Sequence, residues 1–299
     1  MHPLRHPALS SHIERFVGNH LGHSWRITHF EDLNDFASHP CALLSDGSST
    51  VFAKFSHAAN ALDQFETELN SLKLIDDLSA VAIPPPIGVV VVEECVVLLL
   101  EAIPAVDRTA QHWRHMGQAL ARIHRVKGEQ FGLPTHGYFG PIYQDNRLVP
   151  GNDWITFYAE RRLWPRLIGA IDSGHLPTDV ARKVEKLMAR LPNLCGPAVA
   201  PTLIHGDAQK NNFISTPTQA VVIDSASVHF GHPEIDLAYM DYFEPVPQAV
   251  FDGYAEVLPI DPGFNERRNL WRVSGYLAVV SNGGPTYVPW LVNAVDPYL

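Results

Sequence analysis

The segment from Leu203 to Asp224 carries His205, Asp207 and Asn212 in the order H-x-D-x-x-x-x-N. Asp224 follows twelve residues later, at the end of the apolar run Val221-Val222-Ile223. These residue types at these offsets suit phosphoryl transfer from Mg-ATP. One carboxylate must orient and deprotonate an attacking hydroxyl, while an amide oxygen and a second carboxylate hold Mg²⁺ against the phosphates. Catalytic loops that do this chemistry supply Asp and Asn at this offset, with a metal-binding Asp at the end of a nearby strand. Asp207 is therefore read as the base, Asn212 and Asp224 as metal ligands, and His205 as the organiser of the loop. Taken singly, His, Asp and Asn are turn formers and helix caps. Their joint spacing carries the chemistry.

Such a site also needs a lysine on the phosphates, oriented by a glutamate from the next helix. Lys54 stands inside the apolar strand Val51-Phe52-Ala53-Lys54-Phe55, where a lysine would otherwise snorkel to water. Glu68 is the expected partner, because Glu66 points off the Leu62–Leu69 face of the following helix. The run Leu98–Ile103 suits an interlobe hinge, where adenine pairs with backbone groups of Glu101 and Ile103. A loop covering the phosphates is expected at Asn34–Pro40. It contains no glycine, although glycine lets backbone N–H groups approach a phosphate closely; Ser38 is its candidate donor.

The elements that must position these groups follow from periodicity. A helix is expected at Ser11–Leu21, then strands at Trp25–Phe30, Cys41–Leu44 and Thr50–Phe55, the last two joined by a turn at Asp46-Gly47. A helix over Ala59–Leu78 places Leu62, Phe65, Leu69, Leu72 and Ile75 on one face. After Pro84-Pro85-Pro86 come strands at Ile87–Val92 and Cys95–Leu100. Beyond Glu101 the texture is helical: Ala110–Val126, Asp153–Ile171, Pro177–Leu191, Glu234–Phe243, Pro247–Val257, Gly263–Val280 and Pro289–Ala294, with an irregular segment over Gly128–Asn152. The pattern predicts an α+β, two-lobed protein-kinase-like fold. Residues 1–103 form a nucleotide-binding lobe and residues 104–299 a catalytic and substrate-binding lobe.

Composition is compatible with this. The 299 residues are 46% hydrophobic and 18% charged, as in folded globular chains. With 22 basic against 32 acidic residues and a formal charge of −10, general affinity for nucleic acid or anionic membrane is disfavoured. Glu93 and Glu94 split the longest apolar run, so no membrane span is expected, and the first residues lack an apolar signal core. Cys41, Cys95 and Cys195 are few and far apart, which suggests reduced thiols in a cytoplasm.

The catalytic segment, together with Phe230-Gly231-His232-Pro233-Glu234-Ile235-Asp236-Leu237-Ala238, resembles the fructosamine/ketosamine-3-kinase family, relatives of the aminoglycoside phosphotransferases. So do Phe131-Gly132-Leu133, Gly140, Gln144, Asn146, Trp154, Phe157, Arg161-Arg162-Leu163 and Pro259–Phe264, so that the likeness runs over nearly the whole chain. Asp224-Ser225-Ala226 departs from the family's frequent Asp-Pro-Ala but keeps the metal-binding Asp. The resemblance implies a kinase using ATP and Mg²⁺ on a sugar hydroxyl of a ketosamine. It also implies that Asp236 braces the catalytic loop, and that Gln144, Asn146 and Trp154 line the sugar site. A phosphotransferase for another hydroxylated small molecule, such as an aminoglycoside, and a non-catalytic nucleotide-binding module are the competing readings.

Overall fold

The computed structural model of the protein describes residues 2–33 and 39–299. Helix α1 (Pro7–Leu21) begins before Ser11 because Pro7 sits in its first turn, and it stops at Gly22, whose φ is 75°. Then come β1 (His29–Asp32), β2 (Cys41–Ser45), β3 (Thr50–Ser56), α2 (Ala61–Ser79), β4 (Pro86–Val92) and β5 (Cys95–Glu101). The first strand starts later than its residue types suggest. Trp25 is buried in the core and its indole N–H donates to the Ser49 carbonyl, so it packs beneath the sheet instead of joining it. Positions 34–38 of the segment expected to cover the phosphates, Ser38 among them, lie outside the described residues.

The five strands form one antiparallel sheet in the order β1-β2-β3-β5-β4. Side chains alternate across it. Val51, Ala53, Phe55, Val97 and Leu99 pack with α1 on one face, and Leu98 and Leu100 pack with Phe65, Leu69 and Leu72 of α2 on the other. Lys54 belongs to this second face and lies opposite Leu98 in the register. Leu62 departs from its expected place: it is 41% exposed, because it lies on the outward side of α2 with the exposed Glu66 and Lys73, while Ala61 takes the buried position of the first turn.

After Glu101 the chain becomes mainly helical. Its elements are α3 (Ala110–His124), the hairpin β6 (Gly137–Phe139) and β7 (Ile142–Gln144), α4 (Trp154–Tyr158), α5 (Trp164–Asp172), α6 (Thr178–Met188), α7 (Leu191–Leu194), and the short strands β8 (Thr202–Ile204), β9 (Phe213–Ser215), β10 (Ala220–Val222) and β11 (His229–Gly231). The lobe ends with α8 (Glu234–Tyr239), α9 (Ala249–Ala255), α10 (Phe264–Gly283) and α11 (Val288–Val295). A π-helical turn at Ala159–Leu163 interrupts the expected single helix between α4 and α5. The fold is thus a two-lobed α+β architecture, and the larger core lies in the helical lobe around α3 and α10.

Two glycines set how closely α3 meets α9. A Cβ on Gly117 would fall 1.8 Å from the Val250 carbonyl oxygen, and one on Gly253 would fall 2.1 Å from that of Arg114. Only backbone fits at this crossing. Gly117→Ala should force the helices apart and destabilise the protein by about 1–3 kcal/mol, the usual cost of overpacking. Urea unfolding tests this, and an unchanged midpoint would contradict the close-approach role.

Candidate active site

Strand β3 delivers Lys54 to the interlobe cleft. Its Nζ donates to Glu68 Oε2 at 2.8 Å and to Asp224 Oδ1 at 3.0 Å, so one ammonium joins β3, α2 and the segment after β10. Lys54 and Glu68 are both buried, while the Asp224 carboxylate stays partly open to the cleft. Burial alone would lower the lysine's affinity for its proton; the Asp224 and Glu68 carboxylates outweigh it and hold the ammonium above its ordinary range. An ammonium has three N–H donors. Two are used, which leaves one for an oxygen in the cleft.

The catalytic segment runs between two small ladders, β8 with β11 and β9 with β10. His205 sits where they meet. Its Nε2–H donates to the Ile223 carbonyl at 2.9 Å, and its Nδ1 accepts the Asp207 N–H at 3.3 Å. The two bonds fix the neutral tautomer and tie the backbone of Asp207 to the strand that ends at Asp224. Gly206 must be glycine: its φ is 79°, and a Cβ would lie 2.4 Å from the Ser227 carbonyl oxygen. Asp224 also adopts a positive φ of 55°, a region that Asp tolerates better than most residues.

Beneath the loop, the fully buried Asp236 carboxylate accepts three hydrogen bonds. Oδ2 receives the His205 N–H at 2.7 Å and His124 Nε2–H at 3.0 Å, and Oδ1 receives the Gly206 N–H at 2.9 Å. Burial holds the His124 imidazole below its ordinary range. Its Nδ1 therefore accepts from the Tyr254 hydroxyl at 2.8 Å. The chain from Tyr254 on α9 through His124 on α3 to Asp236 on α8 supports the loop from below. His124 and Tyr254 were not singled out from sequence. His124 lies on the buried side of its helix with Leu120 and Ile123, and a buried imidazole on an apolar face is the one cue that points to it.

Lys54, Glu68, Glu101, Ile103, Asp207, Asn212 and Asp224 all line one cavity of about 1470 Å³. Burial first, and then the Asp224 charge, push the Asp207 carboxyl up to about 7. Gln209 Nε2 donates to both Asp207 oxygens, at 3.3 and 3.2 Å. Asn212 Nδ2 donates to the Asp207 carbonyl at 2.7 Å, which leaves the amide oxygen available. Arg108 Nη2 donates to the carbonyls of Lys210 and Phe213, on either side of Asn212, at 2.9 and 2.7 Å. Among the described residues no three His, Cys, Asp or Glu side chains cluster as a metal cage. Mg²⁺ does not need one, since it is held by one or two carboxylates together with phosphate oxygens and water. Asp224 and the Asn212 amide oxygen are a donor set of that kind.

At the hinge, the Glu101 N–H donates to the Pro85 carbonyl at 2.9 Å and the Ala102 N–H to the Thr50 carbonyl at 3.1 Å. Pro85 has no N–H to return, so the ladder leaves the Glu101 carbonyl unclaimed. Among the described residues the Ile103 N–H donates to no backbone carbonyl outside the helices and strands.

Three residues expected at the sugar site are placed elsewhere: Gln144, Asn146 and Trp154 are buried and do not line the cavity. Gln144 accepts from Arg166 Nη2 at 2.7 Å and donates to Ser227 Oγ at 3.0 Å. Asn146 accepts from Arg162 Nη2 at 2.5 Å. Trp154 stacks on Phe157 and Tyr158, with centroids 5.7 and 5.5 Å apart. The cause is local. Asp153 caps α4 through the Thr156 N–H, so Trp154, Phe157 and Tyr158 share the helix face that enters the core. The helical lobe instead contributes Tyr138, Ile142, Ser227, Tyr242, Phe243 and Asn282 to the cavity wall.

Asp236→Asn keeps the shape but presents an NH₂ to one of three N–H donors. It should cost about 1–3 kcal/mol, the price of one unsatisfied buried group, and lower kcat by loosening Asp207. Urea unfolding and steady-state turnover check this; wild-type values for both would remove Asp236 from the support of the loop.

The fructosamine kinase family model matches residues 9–299. A protein from Pasteurella multocida (strain Pm70), named a probable ketoamine kinase, is 27% identical over 268 residues, covering 88% of this chain and 89% of its own length. A crystal structure from Thermobifida fusca YX-ER1, assigned as a fructosamine-3-kinase, superposes with a TM-score of 0.83 at 28% identity, covering 96% of this chain and 98% of the other. The fold extends to an aminoglycoside phosphotransferase solved in a ternary complex with AMP-PNP and hygromycin B, with a TM-score of 0.61 at 14% identity over 95% of this chain and 98% of the other. A cleft that gathers charged side chains between a five-stranded lobe and a helical lobe, with family similarity along almost the entire chain, leads to one assignment: the chain belongs to the fructosamine kinase family of phosphotransferases.

Proposed function

We propose that the protein is an ATP-dependent kinase that phosphorylates a sugar hydroxyl of a ketosamine, such as a fructose- or ribulose-modified amine. The observation that carries this reading is the single cleft shared by Lys54, Asp207, Asn212 and Asp224. The names of the relatives supply the substrate class. Residues 1–103 bind the nucleotide, with its adenine at Glu101 and Ile103, and residues 104–299 carry the catalytic loop and the acceptor site. A cytoplasmic setting fits the sparse, dispersed cysteines. Among the described residues no helix is long and apolar enough to cross a membrane.

In this mechanism Asp207 receives the acceptor hydroxyl, orients its oxygen at the γ-phosphorus and takes its proton as the new O–P bond forms. The bond from that phosphorus to the bridging oxygen breaks, and ADP leaves with the electron pair. Lys54 places its third N–H on a phosphate oxygen, and Glu68 keeps the ammonium pointed there. Asn212 and Asp224 would hold Mg²⁺, which neutralises charge on the phosphate oxygens. His205 and Asp236 keep the loop in register for the transfer.

Synthetic fructosyl-lysine with Mg-ATP should yield ADP and a phosphorylated sugar. Silence there, with clear turnover of an aminoglycoside, would move the reading to that acceptor class; nucleotide binding with no transfer to any hydroxyl would leave a binding module. Within the reaction, Asp207→Asn should lower kcat on the order of 10²–10⁴-fold, the scale of general-base loss, with Mg-ATP affinity little changed. Asp224→Asn should instead weaken Mg-ATP binding, because a charged ligand is lost. Isothermal titration beside steady-state kinetics separates the two, and equal loss of Mg-ATP affinity in both variants contradicts this division of roles.

A further inference from the structure

One element of the helical lobe is bonded to both walls of the cleft. The hairpin β6–β7 turns on Gly140-Pro141, with Gly140 at a φ of 54°. Its inner side is fastened to the floor of the catalytic site. The Tyr138 N–H donates to the Ala226 carbonyl at 2.8 Å, Ser227 Oγ donates to the Tyr138 carbonyl at 2.5 Å, and Gln144 Nε2 donates to Ser227 Oγ at 3.0 Å. Ser227 lies directly against Gly206 of the catalytic loop.

The other side of the hairpin reaches across to the first turns of α2. Gln64 Nε2 donates to the Gly140 carbonyl at 2.9 Å. Asp63 Oδ2 accepts from His136 Nε2 at 2.7 Å and also from the Tyr138 hydroxyl. Gln64 and Glu68 are one helical turn apart, so their side chains leave the same face of α2. Both are buried and both line the cleft. The helix that aims Glu68 at Lys54 is therefore docked, one turn away, on an element that also holds the catalytic floor.

We propose that Asp63 and Gln64 are positioning residues for phosphoryl transfer: they dock α2 on the hairpin and thereby hold Glu68 against Lys54. The proposal rests on the kinase reading for the meaning of Lys54, while the docking itself is visible in nucleotide affinity alone. Asp63 and His136 are both partly solvent-exposed, and such a pair adds little to global stability. Losing it should act on the site rather than on the fold.

The test is a double-mutant cycle read by titration of Mg-ADP into the full chain, with urea midpoints measured in parallel. Asp63→Ala should weaken Mg-ADP binding on the order of 3–30-fold, the range for mutations that modulate coupling without touching ligand, while its midpoint barely moves; Gln64→Ala should weaken binding in the same direction and lower the midpoint as well, because a buried contact is lost. Tyr138→Phe removes only the hydroxyl from Asp63 and should give a smaller loss in the same direction. In a Glu68→Gln background each substitution should weaken binding less, because the ion pair they maintain is already reduced to a neutral hydrogen bond. Full affinity in either single variant, or an undiminished further loss in the Glu68→Gln background, overturns the proposal. If the wild-type chain binds Mg-ADP but transfers phosphate to no tested hydroxyl, the proposed reaction fails, and the cycle still decides the positioning role.

Discussion

A buried ammonium has to be surrounded by acceptors, and the site is built around that requirement. Lys54 cannot remain charged in the interior without Glu68 and Asp224, and these come from α2 and from a segment 170 residues away in sequence. Removing one partner of a buried pair leaves the other uncompensated, which typically costs about 3–5 kcal/mol. The pair is therefore weak evidence for stability and strong evidence for geometry. Wherever Lys54 is neutralised, the sheet lobe, α2 and the strand ending at Asp224 must stand in one arrangement.

A second buried charge sets the depth of the catalytic loop. Asp236 converts the N–H groups of His205 and Gly206 into fixed donors, and His124 with Tyr254 completes its surroundings. This arrangement depends on backbone contact elsewhere. Tyr254 can reach His124 because Gly117 and Gly253 allow α3 and α9 to touch. Packing in the helical core is thus continuous with the support of the loop that carries Asp207.

The sequence made the charged site legible because its chemistry is local. His205, Asp207, Asn212 and Asp224 lie within one segment, and Lys54 stands out as a charge inside an apolar strand. Glu68 could be preferred to Glu66 from helical periodicity, and Glu66 is indeed exposed. Positions whose orientation depends on distant neighbours were less readable. Trp154 has the residue type of a sugar-stacking platform, but the Asp153 cap turns it into the core. Gln144 and Asn146 look like ligand-facing amides in a loop, yet they satisfy buried arginines. The segment read as irregular at Gly128–Asn152 contains a three-residue-per-strand hairpin, too short to show an alternating pattern. Leu62 fits the apolar face of α2 by spacing, but it sits at the edge of that face, on the side shared with the exposed Glu66 and Lys73.

Pro85 has a consequence of a different kind. Because it accepts a hydrogen bond from Glu101 and returns none, the hinge presents a carbonyl acceptor at Glu101, followed two residues on by the Ile103 N–H. Under the proposed reading this is a molecular edge with a polarity. A purine bearing an amino group at carbon 6 offers the complement, a donor beside a ring-nitrogen acceptor. A purine with an oxo group there offers the reverse, an acceptor beside a ring N–H, and would set like against like at both positions. Under that same reading, an imino acid just before the neighbouring strand β4 would favour ATP over GTP through backbone groups of the hinge.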